Sequence, residues 1–204
     1  MTSSVPAADL RIPHAEPGMR IGLFGGSFNP AHAGHLLVAQ TALRRLSLDR
    51  VWWMVTPGNP LKDRDALRPL AERIAASRAL TRDPRILVTA FEARHGRTYT
   101  ADTLEMVLAL RPGVSFVWIM GADSLAGFHH WRHWPRIART LPICVVDRPG
   151  GTLSPLHAPM ARAFARHRLR EERAALLPSL PPPAWVFLHG PRSPLSSTAL
   201  RPAT

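Results

Sequence analysis

Gly22-Leu23-Phe24-Gly25-Gly26-Ser27-Phe28-Asn29-Pro30-Ala31-His32-Ala33-Gly34-His35-Leu36 is the stretch that decides how this chain is read. An apolar run enters a glycine-rich turn and leaves it as a helix. Gly25 and Gly26 carry no side chain, so the turn allows backbone N–H groups to come close to an anion. The helix that follows adds the positive end of its dipole. His32 and His35 are three residues apart, so both imidazoles project from the same side of the helix start. An isolated pair of this kind would be read as two solvated histidines. Beside a glycine turn, it reads as a clamp for phosphoryl oxygens that gain charge during a reaction.

Outward from this turn, short apolar runs bounded by Gly and Pro alternate with helix-like stretches. The runs 20–24, 50–56, 86–90, 114–120, 143–146 and 185–188 are expected strands. Most are continuously apolar, as strands covered on both faces should be. Helices are expected over 34–46, 70–81, 101–110, 135–139 and 161–176, with a last short one beginning near Ser197. The alternation predicts an α/β fold, doubly wound, with a mostly parallel sheet and helices on both faces. The proline-rich stretch Pro178–Pro183 reads as a connector. Neither G-x-x-x-x-G-K-[ST] nor G-x-G-x-x-G follows the first strand, so any nucleotide would be held by a different device.

With 204 residues, 46% of them apolar and 20% charged, the chain suits one folded domain. No stretch approaches ~20 unbroken apolar residues, which argues against a membrane span. The formal net charge is +12, carried by 25 arginines and one lysine, Lys62. Such a surface favours polyanionic partners, including phosphorylated small molecules. The arginines are scattered rather than blocked, which argues against a nucleic-acid partner. The one cysteine, Cys144, sits in an apolar run and is expected to be a buried, inert thiol. Residues 1–18 show almost no apolar periodicity and no secretory pattern, so they are expected to be a flexible extension. Residues 19–204 are expected to form the domain, Met19 is a possible second start, and the expected location is the cytoplasm.

The motif Gly26-Ser27-Phe28-Asn29-Pro30-Ala31-His32-Ala33-Gly34-His35 resembles the signature of the nucleotidyltransferase superfamily related to class I aminoacyl-tRNA synthetases. In its longer form it is similar to the bacterial nicotinate-nucleotide adenylyltransferases, with Asn29 where many members have Asp. Thr56-Pro57-Gly58-Asn59-Pro60-Leu61-Lys62 stands where the family has a segment ending Pro-Pro-His-Lys, and Leu61 replaces the histidine. Thr98-Tyr99-Thr100-Ala101-Asp102-Thr103-Leu104, Gly121-Ala122-Asp123, Phe128 to Trp134, Arg148-Pro149-Gly150 and Ser196-Ser197-Thr198-Ala199-Leu200-Arg201 resemble further family segments.

The resemblance implies a Rossmann-like fold and adenylyl transfer from ATP to nicotinate mononucleotide, with Mg²⁺ carried on ATP and no protein metal site. His32 and His35 are the implied catalytic pair. Gly25, Gly26, Ser27, Phe28, Lys62, Gly121, Asp123, Arg148, Ser197, Thr198 and Arg201 are implied on the ATP and phosphate side. Tyr99, Thr100 and Trp131 are implied on the nicotinate-nucleotide side. Thr100 would also cap its helix, and Asp102 would complement that helix's dipole. Two other readings fit the same residues: transfer to another acceptor, such as nicotinamide mononucleotide or phosphopantetheine, and a non-catalytic nucleotide- or RNA-binding module.

Overall fold

Val51-Trp52-Trp53-Met54-Val55 is buried along its whole length because the strand has an apolar layer on each face. In the computed structural model, which describes residues 5–58, 67–96, 99–147 and 154–189, Trp52 and Met54 join one core with Leu23 and Trp118. Val51, Trp53 and Val55 join the other with Phe24 and Ile119. Successive side chains of a strand point to opposite faces, so a strand covered twice must be apolar throughout.

The strands are β1 (Arg20–Gly26), β2 (Arg50–Val55), β3 (Ile86–Thr89), β4 (Ser115–Gly121), β5 (Ile143–Val146), β6 (Arg168–Leu169) and β7 (Trp185–Leu188). They form one sheet in the order β3-β2-β1-β4-β5-β7-β6, and every neighbouring pair is parallel. The helices are α1 (Ala33–Arg45), α2 (Leu70–Leu80), α3 (Phe91–Arg94), α4 (Thr100–Leu110), α5 (Ala122–Gly127), α6 (Trp134–Thr140) and α7 (Pro159–Ala163). Val38 and Ala42 of α1 and Ile74 of α2 pack on one face of the sheet. Leu104 and Val107 of α4, Leu125 of α5 and Ile137 of α6 pack on the other. This is the expected doubly wound architecture. Cys144 is buried in β5, and burial pushes its thiol pKa up.

From β1 the chain steps outward to β2 and β3, then returns to build β4, β5 and β7 on the other side. The strand order therefore reverses between β1 and β4, and a crevice opens there at the carboxyl ends of the strands. Phe24 pairs with Ile119, so Gly26 and Gly121, each two residues further on, end their strands at the same level.

Three expectations need correction. The helix expected over 161–176 is instead α7, a 3-10 turn at Ala165–His167, the short strand β6 and a 3-10 run at Glu171–Ser179. The indole N–H of Trp185 donates to the carbonyl of Phe164 at 2.8 Å, and the same carbonyl accepts the His167 N–H at 3.0 Å, so the chain passes from α7 into a tight 3-10 turn rather than continuing as an α-helix. The Arg168 guanidinium lies 5.4 Å over the Trp185 ring, which holds the following residues extended along β7. Thr100 does not cap α4: Tyr99 occupies the N-cap position, in extended conformation, and no side chain caps this helix.

The third correction concerns residues 5–18, which lie against the fold rather than free of it. Ala7–Leu10 forms a 3-10 turn with Asp9 buried. The Asp9 carboxylate accepts both terminal nitrogens of Arg78. The Asp9 carbonyl accepts the Ala90 N–H at 2.7 Å, and the Thr89 hydroxyl reaches the carbonyls of Asp9 and Arg11. Ala15 belongs to the apolar core. The last short helix expected near Ser197 lies outside the described residues.

Glu92, in α3, is buried beneath the start of α4, where the Thr103 hydroxyl donates to its carboxyl at 2.8 Å. Burial raises its pKa to about 7, against the opposing effect of that hydrogen bond.

Two outcomes follow from this packing. Asp9→Ala is expected to cost about 1–3 kcal/mol, the range for lost hydrogen bonds to a charged group, with water able to replace the partner of the half-exposed Arg78. It should lower Tm by about 3–9 °C, measured by circular dichroism, and an unchanged Tm would mean that the N-terminal segment adds nothing. For Glu92, a raised folded-state pKa favours folding below the unfolded carboxyl pKa, and that contribution disappears as pH rises towards about 7. Glu92→Gln keeps the hydrogen bond without the charge. It should raise Tm relative to wild type at pH 8 and lose that advantage near pH 4.5, a swing of roughly 2–3 kcal/mol. A pH-independent difference would sink this account.

Candidate active site

The turn after β1 is built by exclusion of side chains. A Cβ on Gly25 would lie 2.6 Å from the Trp118 indole, and one on Gly26 would lie 3.0 Å from the Phe28 ring. These glycines thus admit aromatic groups as well as leaving the backbone bare. Phe28 itself has φ 45°, a left-handed conformation that a bulky residue adopts only when its surroundings impose it. Here they do: its ring is buried edge-on to Phe24 at 5.3 Å and lies 4.8 Å from Trp53. Asn29 is buried, and its Oδ1 accepts the Arg68 N–H at 3.1 Å. A neutral amide oxygen serves that acceptor role, so the position needs no carboxylate.

His32 and His35 form a reciprocal cap on α1. His32 is the N-cap residue, and its Nδ1 accepts the Gly34 N–H at 3.1 Å. His35 Nδ1 accepts the His32 N–H at 3.2 Å. A backbone N–H can only donate, so both Nδ1 atoms act as acceptors and the proton of each neutral ring resides on Nε2. The rings stack with centroids 3.8 Å apart. Phe24, Phe28 and Trp53 surround His35 at 6.3, 4.9 and 6.2 Å. His32 is 2% exposed, while His35 is half-buried.

Across the crevice, Gly121 is the N-cap of α5 and Asp123 stands exposed in its first turn. The topology brings them to the β1–β4 crevice with Gly25, Gly26, Ser27 and Phe28. Tyr99 and Thr100 are half-buried at the start of α4. The Arg132 guanidinium lies 4.5 Å over the Tyr99 ring, joining this segment to the loop that carries Trp131. Trp131 is half-buried and edge-on to Phe128 at 5.3 Å and Trp118 at 6.1 Å. Because Trp118 also fills the space beside Gly25, one indole links the glycine turn to the Trp131 loop. Lys62, Arg148, Ser197, Thr198 and Arg201 lie outside the described residues.

Arg73, on α2, escaped the sequence reading. Its side chain is 2% exposed, and burial lowers its pKa. The guanidinium donates Nη1 to the Ser27 carbonyl at 2.7 Å and to the Thr56 carbonyl at 2.7 Å. Nη2 reaches the Pro57 carbonyl at 3.2 Å, and Nε the Arg68 carbonyl at 2.9 Å. The signal was positional: Arg73 shares the buried side of α2 with Ile74 and Ser77. Among 25 arginines its residue type alone carried nothing.

A cleft of about 550 Å³ lined by His14, Glu16, Asp49 and Arg50 lies at the other end of β1 and β2. Ligands of open parallel sheets bind at the carboxyl ends of the strands, so this amino-end cleft is not the site. Among the described residues no helix is long and apolar enough to cross a membrane.

Residues 23–203 match the cytidylyltransferase-like family. A protein of Mesorhizobium japonicum named "Probable nicotinate-nucleotide adenylyltransferase" is 60% identical over 190 residues, covering 93% of this chain and 97% of that one. A protein of the same name from Rhizobium meliloti is 62% identical over 185 residues, 91% of this chain and 98% of its own. Among solved structures, Plasmodium falciparum nicotinic acid mononucleotide adenylyltransferase complexed with NaAD has a TM-score of 0.66 at 16% identity. That alignment covers 89% of this chain and 82% of the other, and at this identity the likeness speaks for the fold alone. With about 60% identity sustained over nearly the full length of both chains, the protein belongs to the nicotinate-nucleotide adenylyltransferases of the cytidylyltransferase-like family.

Proposed function

We propose that the protein transfers the adenylyl group of ATP to nicotinate mononucleotide, giving nicotinate adenine dinucleotide and pyrophosphate. The observation that carries this reading is the reciprocal cap of His32 and His35, which puts the proton of each ring on Nε2 at the start of the helix that follows the glycine turn. The family membership supports the same acceptor. In the reaction, an oxygen of the mononucleotide 5′-phosphate attacks the α-phosphorus of ATP. The bond from that phosphorus to the oxygen bridging it to the β-phosphorus breaks, and pyrophosphate leaves with the electron pair. The attacking phosphate is already anionic at neutral pH, so no protein nucleophile is required.

The protein's task is positioning and charge stabilisation. His32 and His35 would donate Nε2–H to the oxygens of the transferring and leaving phosphates. Gly25, Gly26, Ser27 and Phe28 would present backbone to the phosphates, and the positive end of α1 would favour their charge. Gly121 and Asp123 would lie against the adenosine. Lys62, Arg148, Ser197, Thr198 and Arg201 are proposed on the same nucleotide by motif alone. Tyr99, Thr100 and Trp131 would hold the pyridine nucleotide, with the Trp131 indole against the electron-poor ring.

Among the described residues no group of three or more His, Cys, Asp or Glu could hold a metal ion. Mg²⁺ is proposed as part of the substrate, carried on the ATP phosphates with several of its waters. The net charge of +12 would steer both anionic substrates to the site. These substrates are soluble metabolites, and the cytoplasm is the proposed location.

The direct test supplies ATP with nicotinate mononucleotide, nicotinamide mononucleotide or phosphopantetheine and measures pyrophosphate release. The expected result is fastest turnover with the nicotinate compound. ATP binding without pyrophosphate release from any acceptor would overturn the reading.

Two substitutions probe the residues. His35→Ala should lower kcat by about 10²–10⁴, with a smaller change in ATP affinity, because its donor serves charge that develops in the transition state. Unchanged turnover by the folded variant would remove His35 from the mechanism. Trp131→Ala should raise KM for nicotinate mononucleotide by ~3–30-fold, the equivalent of ~0.5–2 kcal/mol of stacking. A change confined to KM for ATP would reverse the two subsites.

A further inference from the structure

Arg73 is a buried cation whose four side-chain hydrogen bonds all end on backbone carbonyls. Among the described residues these partners include no carboxylate, so Arg73 is not one half of a buried ion pair there. Its fork reaches three separate places: Ser27 in the turn after β1, Thr56 and Pro57 in the loop after β2, and Arg68 ahead of α2. A single side chain thus ties the glycine turn to the loop that continues into the Lys62 segment. Both sit at the carboxyl edge of the sheet, where two single hydrogen bonds also join them: the Thr56 N–H to the Gly26 carbonyl at 3.0 Å and the Arg68 N–H to Asn29 Oδ1 at 3.1 Å.

The geometry of the peptide group adds direction. In a trans peptide the C=O and the N–H of one unit point opposite ways. Holding the Ser27 carbonyl on Arg73 turns the Phe28 N–H away from Arg73. Holding the Pro57 carbonyl does the same for the Gly58 N–H. Thr56 precedes Pro57, which has no N–H, so that carbonyl only anchors the loop.

Resting on the adenylyl-transfer reading, we infer that Arg73 is a positioning residue that aims the Phe28 and Gly58 N–H groups at substrate phosphate. It has no direct contact with substrate. The left-handed backbone of Phe28 fits this role: a strained residue is held in place by its carbonyl neighbour as well as by its ring. Lysine keeps the charge at position 73, but its one ammonium cannot span carbonyls arrayed around a planar fork.

The test compares Arg73→Lys and Arg73→Gln with Arg78→Ala on the same helix. Arg78 is bound to Asp9, away from the turn, so its loss should cost stability and leave kcat within about 2-fold of wild type. Arg73→Lys is expected to lower kcat by about 10–100-fold at 25 °C, the scale for a misplaced catalytic donor. KM for ATP should change by less than about 3-fold. A folded Arg73→Lys enzyme with wild-type kcat overturns the inference. So does loss of folding in both Arg73 variants, which would make Arg73 a stability residue alone.

Amide NMR with inorganic pyrophosphate separates this inference from the reading beneath it. The Phe28 and Gly58 amide signals should shift on adding pyrophosphate to wild type and respond weakly in Arg73→Lys. If wild type shows those shifts but releases no pyrophosphate from ATP with any acceptor, the reaction assignment falls and the positioning role stands. Equal shifts in wild type and Arg73→Lys overturn the positioning role, whatever the kinetics.

Discussion

β1 is hydrogen-bonded to β2 on one edge and to β4 on the other, and apolar layers cover both its faces. A strand enclosed on four sides has only its ends left to offer. Its carboxyl end, where the strand order reverses, is the one point at which a ligand can meet the central backbone of the sheet. The chain places there two glycines, a left-handed phenylalanine and the start of α1. Their precision comes from the burial of what stands behind them. Trp118 and Trp53 are fully buried, and each touches the turn or one of its rings. The cost of disturbing a close-packed aromatic cluster is what keeps a short polar turn in a single arrangement.

The histidine pair shows one contact serving two purposes. A helix start leaves backbone donors without partners, and Ser, Thr, Asp or Asn usually satisfies them. Here imidazole nitrogens do so, and that choice fixes which nitrogen carries each ring's proton. Capping and tautomer selection cannot be separated: a ring that turned to offer the other nitrogen would uncap the helix. The aromatic walls around His35 then set the direction of its outer nitrogen.

Much of this was legible in the sequence, for identifiable reasons. Continuous apolar runs between glycines and prolines marked the strands, because a doubly covered strand has no solvated face. The glycine turn with His32 and His35 marked the candidate site because glycines ahead of a helix start leave backbone N–H groups open to an anion. What failed depended on distant partners. Nothing local in residues 161–176 says that the Trp185 indole will bond the Phe164 carbonyl where α7 gives way to a 3-10 turn. Thr100 has the right chemistry for a cap, yet Tyr99 takes that position. Arg73 looked like one more surface arginine, because its four acceptors are backbone atoms, which a sequence does not display.

The two edges of the sheet are finished differently, and one of them bears on solubility. β6 is only two residues long, with exposed arginines at Arg168 and Arg170, so that edge repels a further strand. β3 has no such charges of its own: its run is Ile86-Leu87-Val88-Thr89, and residues 9–11 lie across its end. A polypeptide begun at Met19 would keep every residue of the glycine turn and both histidines but would lose the segment that covers the end of that edge at Thr89 and Ala90. The expected weakness is then colloidal rather than catalytic, because more of that strand end is open to pairing with another molecule.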